Sequence, residues 1–261
     1  ALEGGRDTVA YPSLELAAKG FEPLAMTDCL NFGNPERLEV MTSFVAALGG
    51  MNELARELVT PIISGNVSFY NETEGRNITP TPSTGLVGLR RSVEKLPTSN
   101  FTQAGLEVFV VSTLKSFEFG GAFAEKTKLE PRAMGAIDRD SVRSLVASLL
   151  SVEAKGLVQA SRVVGKFGLG YALSRMALGG VGAEVTGHSF ADLFSERLYE
   201  VVVATSLSRA EFEEQWSMAS GGKSPIRHLG RTGGLSLKIG SEVELTVQEL
   251  TTVYQKGWTQ S

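Results

Sequence analysis

Two short stretches constrain the fold most, because each runs from an apolar strand into a cluster of small and polar residues. The first is Ala25–Pro35 (AMTDCLNFGNP), and the second is Pro61–Thr73 (PIISGNVSFYNET). A helical segment of about one strand-crossover length separates them. Strands joined in this way lie side by side in one sheet. We therefore expect their polar ends to meet at one edge, where ligands of open α/β sheets tend to bind.

Strands and helices alternate along the whole chain and favour α/β units in both parts. The predicted strands are Pro23–Asp28, Thr60–Ser64, Gly85–Arg91, Leu106–Ser112, Leu157–Val164, Ala183–Val185, Leu198–Thr205, Pro225–Leu229 and Leu235–Ile239. The predicted helices are one with an apolar face from Leu38 to Leu58, then Asp140–Val152 and Leu169–Leu178, and two that open with capping boxes at Ser208–Glu211 and Thr246–Glu249. A second unit starts near Ala104.

Other segments are predicted to be irregular. Residues 1–13 carry little pattern, and Leu14–Lys19 predicts only a short helical turn that ends at Gly20. Residues 71–84 predict a polar loop. Asn34 is predicted to cap the long helix that follows it, with Pro35 at the first helical position.

Composition disfavours several classes of protein. The chain has 261 residues and a formal net charge of −4, without a basic stripe, so a nucleic-acid partner or an anionic membrane surface is disfavoured. No apolar run approaches the roughly 18 residues that span a bilayer. Cys29 is the only cysteine, which rules out a disulfide framework and fits a reducing compartment. Because the first residue is Ala1 and no signal peptide is readable, we expect a fragment, a processed chain or a chain with residues missing.

The polar clusters of the two stretches have the composition of a magnesium–phosphate site. Carboxylate and amide oxygens suit Mg²⁺, and glycine lets backbone N–H groups approach a phosphate closely. Neither a P-loop nor a Rossmann fingerprint is present. The residues in question are Asp28, Asn31 and Asn34 in the first stretch and Gly65, Asn66 and Ser68 in the second.

A purely structural interpretation stays open for the same residues. Asp and Asn after a strand commonly form turns and cap helices, and Asn34 in particular is interpreted as a cap. Cys29 is predicted to be a small buried residue. His188 and His228 are far apart in the sequence and are interpreted as structural, because nothing like a nucleophile elbow accompanies them.

Three strings carry a resemblance to a known family. TDCLNFGNPE (Thr27–Glu36), SGNVSFYNETEG (Ser64–Gly75) and TPSTGLVGL (Thr81–Leu89) resemble the second half of phosphoribosylformylglycinamidine synthase, the synthetase subunit of an amidotransferase complex in purine biosynthesis. The resemblance is dense over roughly residues 14–113 and looser afterwards. MALGGVGAEV (Met176–Val185) and LGRTGG (Leu229–Gly234) keep the order of the family.

The resemblance implies a fold shared with aminoimidazole ribonucleotide synthetase. An N-terminal sheet-and-helix domain over residues 1–103, incomplete at its start, would precede a C-terminal α/β sandwich domain over residues 104–261. The implied enzyme is an ATP-dependent C–N ligase of the cytoplasm. It phosphorylates the amide oxygen of formylglycinamide ribonucleotide with ATP and Mg²⁺, and ammonia from glutamine then displaces the phosphate.

The resemblance also assigns roles to four residues and leaves other roles to a partner. Asp28 and Gly65 resemble ATP-contacting residues, Asn66 a Mg²⁺ ligand and Ser68 a contact to the ribonucleotide. No catalytic residue is expected on this chain, because the histidines of the family belong to the first half of the synthetase. The implied partners are that first half and a glutaminase, in a homodimer or a hetero-complex, with neither nucleic acid nor membrane.

One segment departs from the family pattern. Where the family carries AHDVSDGGL, this chain has Ser161–Leu169 (SRVVGKFGL), with Val163 and Lys166 in place of the aspartates. Two alternatives therefore stay open. As alternatives to an active second half, the chain would be a catalytically decayed structural half of the same family or another ATP-dependent relative of aminoimidazole ribonucleotide synthetase.

Overall fold

The structure is a computed structural model that describes residues 1–119, 135–186, 189–241 and 243–257. Its helices are α1 (Leu2–Ala17), α2 (Leu38–Glu57), α3 (Arg139–Ala154), α4 (Gly168–Ala177), α5 (Phe190–Phe194), α6 (Arg209–Ser220) and α7 (Val247–Lys256). Its strands are β1 (Glu22–Asn31), β2 (Ile62–Ser68), β3 (Glu72–Thr73), β4 (Arg76–Asn77), β5 (Thr81–Leu89), β6 (Glu107–Phe119), β7 (Ala160–Val164), β8 (Ala183–Val185), β9 (Glu196–Thr205), β10 (Ile226–Thr232), β11 (Ser236–Ile239) and β12 (Val243–Thr246). Every helix among these residues is too short or too polar to cross a bilayer.

The strands form two main sheets. The first has three strands in the order β2-β1-β5, with β1 and β2 parallel and β1 and β5 antiparallel. The second has seven strands in the order β12-β11-β8-β10-β6-β9-β7. Strands β3 and β4 pair as a separate small hairpin. The mixed α/β fold class is confirmed, whereas the proposed boundary between residues 103 and 104 remains a prediction.

Side chains cover both faces of the seven-stranded sheet. Along β9, Val201 and Val203 pack into one apolar cluster, while Val202 and Ala204 pack into another. The first cluster also contains Leu14 of α1, so the helices of the first part and one face of the second sheet share a core. Such double coverage explains the almost continuous apolar run of β6 and β9.

Glycines allow α1 and α2 to pack backbone against backbone. A methyl group on Gly5 would lie 2.1 Å from the carbonyl oxygen of Ala47, and one on Gly50 would lie 2.0 Å from that of Leu2. Gly49 meets only a leucine methyl at 3.7 Å. Gly5 and Gly50 therefore serve the close packing of the two helices, and Gly49 does not.

Four predictions about the first part are wrong. Residues 1–13 are not patternless, because they lie in α1, which runs from Leu2 through Pro12 to Ala17. The first two strands extend beyond Asp28 and Ser64, so their polar clusters lie within strands rather than after them. The segment 71–84 contains β3, β4 and the start of β5.

Asn34 does not cap α2. The helix begins at Leu38 with Arg37 at the N-cap position and without a side-chain cap. Oδ1 of Asn34 instead accepts a hydrogen bond of 2.9 Å from the backbone N–H of Glu36, which stabilises a turn ahead of the helix. Both predicted capping boxes are confirmed, with Ser208 and Glu211 on α6 and Thr246 and Glu249 on α7.

Candidate functional site

The register of β1 and β2 sets the positions of the four candidate residues. Asp28 lies opposite Gly65, Cys29 opposite Asn66, and Asn31 opposite Ser68. The two polar clusters therefore meet along the strand pair, although the meeting point lies within the strands and not beyond their ends. This arrangement follows from the parallel pairing that the intervening helix predicts.

Asp28 and Gly65 are in direct contact. A methyl group built on Gly65 would lie 1.9 Å from Oδ1 of Asp28 and 2.7 Å from its Cγ. The backbone of Gly65 has no positive φ, so the glycine is required here for space and not for backbone conformation. The half-buried carboxylate of Asp28 occupies this space.

The four residues divide between the two faces of the three-stranded sheet. Side chains alternate along a strand, and residues opposite each other point to the same face. Asp28 and Gly65 share the face that the helices cover, where Met26 and Leu30 of β1 are buried. Asn66 and Ser68 share the open face with Cys29, which is exposed. The prediction that Cys29 is buried is therefore wrong, because it lies on the solvated face of β1.

Two of the candidate side chains are available to a ligand. Within the described residues, neither the carboxylate of Asp28 nor the amide of Asn66 forms a side-chain hydrogen bond or an ion pair. Ser68 is engaged locally, with its Oγ 3.1 Å from Nδ2 of Asn71. The same Nδ2 donates to the carbonyl oxygens of Ser68 and Phe32, at 2.9 Å each, and so ties the end of β2 to the end of β1.

The site has an open side. β2 is an edge strand of its sheet, and Gly65 and Asn66 are exposed on it. Apolar side chains are exposed around it, among them Ile63 of β2 (66%) and Val87 of β5 (58%). An exposed apolar sheet face beside a free strand edge is typical of a surface that another chain covers.

The donor set is incomplete for a metal held by protein alone. Within the described ranges, no group of three or more His, Cys, Asp or Glu side chains could hold a metal ion. Mg²⁺ commonly binds through one or two protein oxygens together with nucleotide phosphates and waters. The free oxygens of Asp28 and Asn66 fit that mode of binding, although they lie on opposite faces of the sheet.

The divergent segment runs from β7 to the start of α4, and its turn lies close to α1. A methyl group on Gly165 would lie 2.6 Å from the hydroxyl oxygen of Tyr11 on α1. Phe167 has φ +68°, a left-handed conformation that favours glycine, and its N–H donates to Oε1 of Glu196 over 3.1 Å. Lys166 lies beside it, with Nζ 5.5 Å from the phenyl centroid. The segment supplies no carboxylate of its own.

Neither histidine belongs to the candidate site. His228 lies on β10, with Nε2 2.7 Å from Oε2 of Glu107 and its ring against Phe109. Both contacts agree with the structural interpretation of that residue. His188 lies outside the described residues.

A buried ionic cluster joins the two parts of the chain, and the sequence gives no sign of it. Nζ of Lys19 donates to the carbonyl oxygens of Thr98 (2.7 Å) and Ser161 (2.6 Å). Arg90 pairs with Glu153 over 3.3 Å, and both side chains are less than a tenth exposed. Burial raises the pKa of Glu153 to about 7, against the opposing effect of Arg90, and burial lowers the pKa of Lys19 to about 8. The pairing is invisible in the sequence because its members lie in distant segments.

Comparison with known proteins identifies the first part of the chain. Residues 1–90 match the family described as AIR synthase related protein, N-terminal domain. These residues contain α1, the three-stranded sheet and all four candidate site residues. The first third of the chain is therefore similar to the N-terminal domain of AIR synthase related proteins, in agreement with the resemblance drawn from the two stretches.

Solved structures extend the likeness in fold to almost the whole chain. Thermotoga maritima PurL, a phosphoribosylformylglycinamidine synthase, matches in its complex with ATP at a TM-score of 0.73 and 16% identity over 95% of this chain. Its complex with FGAR matches at a TM-score of 0.73 and 17% identity over the same share. The chain spans only 41% and 43% of those two PurL chains. The expected α/β fold is thus confirmed.

A smaller protein has the same fold. Escherichia coli HypE, a hydrogenase maturation protein, matches at a TM-score of 0.67 and 16% identity over 93% of this chain. The chain spans 78% of HypE, a larger share than it spans of PurL. Identities this low establish a common fold and leave the activity to be inferred from the site.

Proposed function

We propose that this chain is the second half of an ATP-dependent synthetase. In the proposed reaction, formylglycinamide ribonucleotide, ATP and ammonia from glutamine give formylglycinamidine ribonucleotide, ADP and phosphate. The observation that carries the proposal is the contact of Asp28 with Gly65, on a strand pair with an open edge inside an AIR synthase related domain. PurL structures of the same fold are complexes with ATP and with FGAR. They support the proposal that this chain also binds ATP and the ribonucleotide.

The proposed roles are divided between the two faces of the three-stranded sheet. Asp28 and Gly65 contact ATP, Asn66 is a ligand of Mg²⁺, and Ser68 contacts the ribonucleotide. Because β2 is an edge strand, a ligand that lies across this edge reaches Asp28 from one face and Asn66 from the other. Mg²⁺, when bound, offsets the negative charge of the transferring phosphoryl group. Its further carboxylate ligands would come from the first half of the synthetase.

The proposed partners complete the site. The first half would cover the open face of the three-stranded sheet, supply the catalytic histidines and place its own AIR synthase related domain against this one. Exposed Val87 and Leu89 of β5 support such a contact, because apolar groups on a sheet face are stabilised when another surface excludes water from them. A glutaminase would deliver the ammonia. The resulting hetero-complex is expected in the cytoplasm.

A reconstitution experiment tests the proposal. The chain is mixed with a first-half polypeptide of the family, and ammonia-dependent release of ADP is measured with formylglycinamide ribonucleotide. The wild-type mixture should turn over, and Asn66→Ala should raise the Mg²⁺ concentration required for half-maximal activity. The matched control is Asn52→Ala, which removes an exposed amide from α2. Turnover of Asn66→Ala with an unchanged dependence on Mg²⁺ would remove Asn66 from the metal site.

Two observations favour other functions. The larger share of HypE that the chain spans favours another ATP-dependent relative of aminoimidazole ribonucleotide synthetase, one that works without a first half. Lys166 and Val163, at the positions of the family aspartates, favour a structural half without nucleotide chemistry. ADP release by the chain without a first half would support the former. A complex that forms with the first half yet shows neither turnover nor thermal stabilisation by Mg-ATP would support the latter, since a bound ligand at 100 times its Kd adds about 2.7 kcal/mol.

A further inference from the structure

An apolar groove of about 240 Å³ lies between α4 and α7 in the second part of the chain. Its size is below the range of about 300–1,000 Å³ found for pockets of drug-sized ligands, so it suits one ring or a short chain. None of its lining residues belongs to the site described above. Its walls include Tyr171, Arg175, Leu178, Leu245, Val253 and Tyr254.

Helix α7 contributes an apolar wall that the rest of the described chain leaves uncovered. None of its residues is buried, and Val253 is 70% exposed. The capping box fixes the start of the helix, where Oε2 of Glu249 accepts from the backbone N–H of Thr246 (2.8 Å) and from its hydroxyl (2.7 Å). The carboxylate of Glu249 is thus engaged at the helix terminus, although the residue lines the groove.

Among the described residues that line this groove, Arg175 is the only cation, and two aromatic rings hold it in place. Its guanidinium carbon lies 4.4 Å from the ring centroid of Tyr254 and 5.8 Å from that of Tyr171. One terminal nitrogen, Nη1, donates to the hydroxyl oxygen of Tyr171 over 3.2 Å. Nε is buried, and it has no hydrogen-bond partner within the described residues. An unpaired buried donor is unfavourable until an acceptor reaches it.

The lining carries one cation, Arg175, and one carboxylate, Glu249, and only the carboxylate is already satisfied by hydrogen bonds at the helix terminus. Among the described residues, Arg175 has no ion-pair partner, and Arg162 lies close enough for the two positive charges to repel each other. A guanidinium that is stacked on its faces presents its donors in its own plane, which is the geometry that binds a carboxylate through two parallel hydrogen bonds.

We propose that this groove binds a small monocarboxylate whose apolar part is a single ring or a short chain. The carboxylate accepts hydrogen bonds from the guanidinium of Arg175. The apolar part lies against Leu245 of β12 and Val253 of α7. The guanidinium of Arg175 selects the carboxylate of the ligand, and the apolar walls of the groove select its ring or chain.

Phenylacetate is a suitable probe, and phenylacetamide is its neutral counterpart of similar shape. Both are titrated into the ¹⁵N-labelled chain while the arginine Nε–H resonances are followed by two-dimensional NMR. The resonance of Arg175 is assigned by its loss in Arg175→Lys. Phenylacetate should shift that resonance in a saturable manner, and phenylacetamide should bind about 10–100-fold more weakly, as expected for the loss of a charged hydrogen-bond partner.

Two further variants distinguish binding in the groove from a nonspecific attraction between phenylacetate and nearby cations. Val253→Glu places a negative charge at the edge of the groove on an exposed position that tolerates it, and it should weaken phenylacetate binding about tenfold or more. Arg162→Gln removes the neighbouring cation from outside the lining and should change binding less than threefold, or about 0.7 kcal/mol. The proposal is overturned if acid and amide bind equally, if Val253→Glu binds as tightly as the wild type, or if no saturable shift of Arg175 occurs.

Discussion

The carboxylate of Asp28 occupies the space beside Gly65 that any side chain at position 65 would need, since a methyl group there would lie 1.9 Å from Oδ1. The two residues come from strands separated by a 20-residue helix, α2, and they face each other only because β1 and β2 pair in parallel. A glycine on an exposed edge strand is therefore explained by its neighbour and not by its backbone angles.

Gly65→Ala is expected to destabilise the chain by about 1–3 kcal/mol, because the added methyl group displaces Asp28. Asp28→Ala removes the obstacle, so the double variant should lose less stability than the sum of the two single variants, with a coupling of at least about 0.5 kcal/mol. Urea denaturation measures all three. Gly85→Ala on β5 is the control, since its methyl group meets only Oγ1 of Thr27, at 3.3 Å. Additive effects of Gly65→Ala and Asp28→Ala would contradict the contact.

The packing of α1 on α2 predicts opposite effects on stability for alanine at two adjacent glycines, Gly49 and Gly50. Gly50→Ala should destabilise by about 1–3 kcal/mol, because its methyl group would lie 2.0 Å from a backbone oxygen of Leu2 that cannot swing away. Gly49→Ala has room and should stabilise the helix by up to about 1 kcal/mol. Thermal unfolding of the two variants separates them. Equal effects at both positions would show that helix propensity, and not packing, decides the outcome.

Association through the open sheet face gives a third prediction, which rests on the proposed function. Val87→Lys places a charge at the centre of the exposed apolar face and should abolish association with the first half, since a charge buried without a partner is strongly unfavourable. Its effect on the stability of the lone chain should stay within about 0.5 kcal/mol. Size-exclusion chromatography with light scattering measures association. Val45→Lys, at another exposed valine on α2, should associate like the wild type.

The buried ionic cluster predicts an unusual dependence of stability on pH. In the folded chain the pKa of Glu153 is raised from 4.5 to about 7. The folded state therefore holds the extra proton between these values, and stability falls as the pH rises through that window. The pKa of Lys19 is lowered from 10.5 to about 8, so the unfolded state holds the extra proton above pH 8, and stability rises again there. The contribution of the cluster is smallest near pH 7–8.

Glu153→Gln removes the first of these two effects. The stability of the wild type relative to this variant should fall by about 1–3 kcal/mol between pH 4.5 and 7. Urea denaturation over that range measures the difference. The matched control is Glu94→Gln, at an exposed glutamate beside the same cluster, and it should run parallel to the wild type. A curve for Glu153→Gln that also runs parallel to the wild type would show that folding does not shift the pKa of Glu153.

Local signals in the sequence predict a large part of the fold. The capping boxes at Ser208 and Thr246 place two helices correctly, because a cap depends only on residues three positions apart. The apolar period of α2 and the apolar runs of β6 and β9 are equally local signals. The pairing of the two polar stretches is also predictable, since it follows from a strand, a crossover helix and a second strand.

What the sequence does not predict depends on distant contacts. Helix α1 contains Gly4, Gly5 and Pro12, which locally disfavour a helix, and its stability comes from packing against α2. The polar end of β1 reads as a turn, but it stays in the sheet because Asn31 pairs with Thr81 fifty residues later. The site is divided between two faces because successive side chains of a strand point to opposite faces. The sequence-based prediction ends each strand too early to show this.

Helix α1 also bears on how the chain is made. It packs against α2 and β5, which follow soon after it, and against α3 and β7, which begin roughly 120 residues or more later. During synthesis its apolar residues Val9 and Leu14 thus emerge long before their last partners do. A ribosome-bound intermediate would expose this surface until β7 is complete, so α1 is a segment that needs protection from aggregation during synthesis.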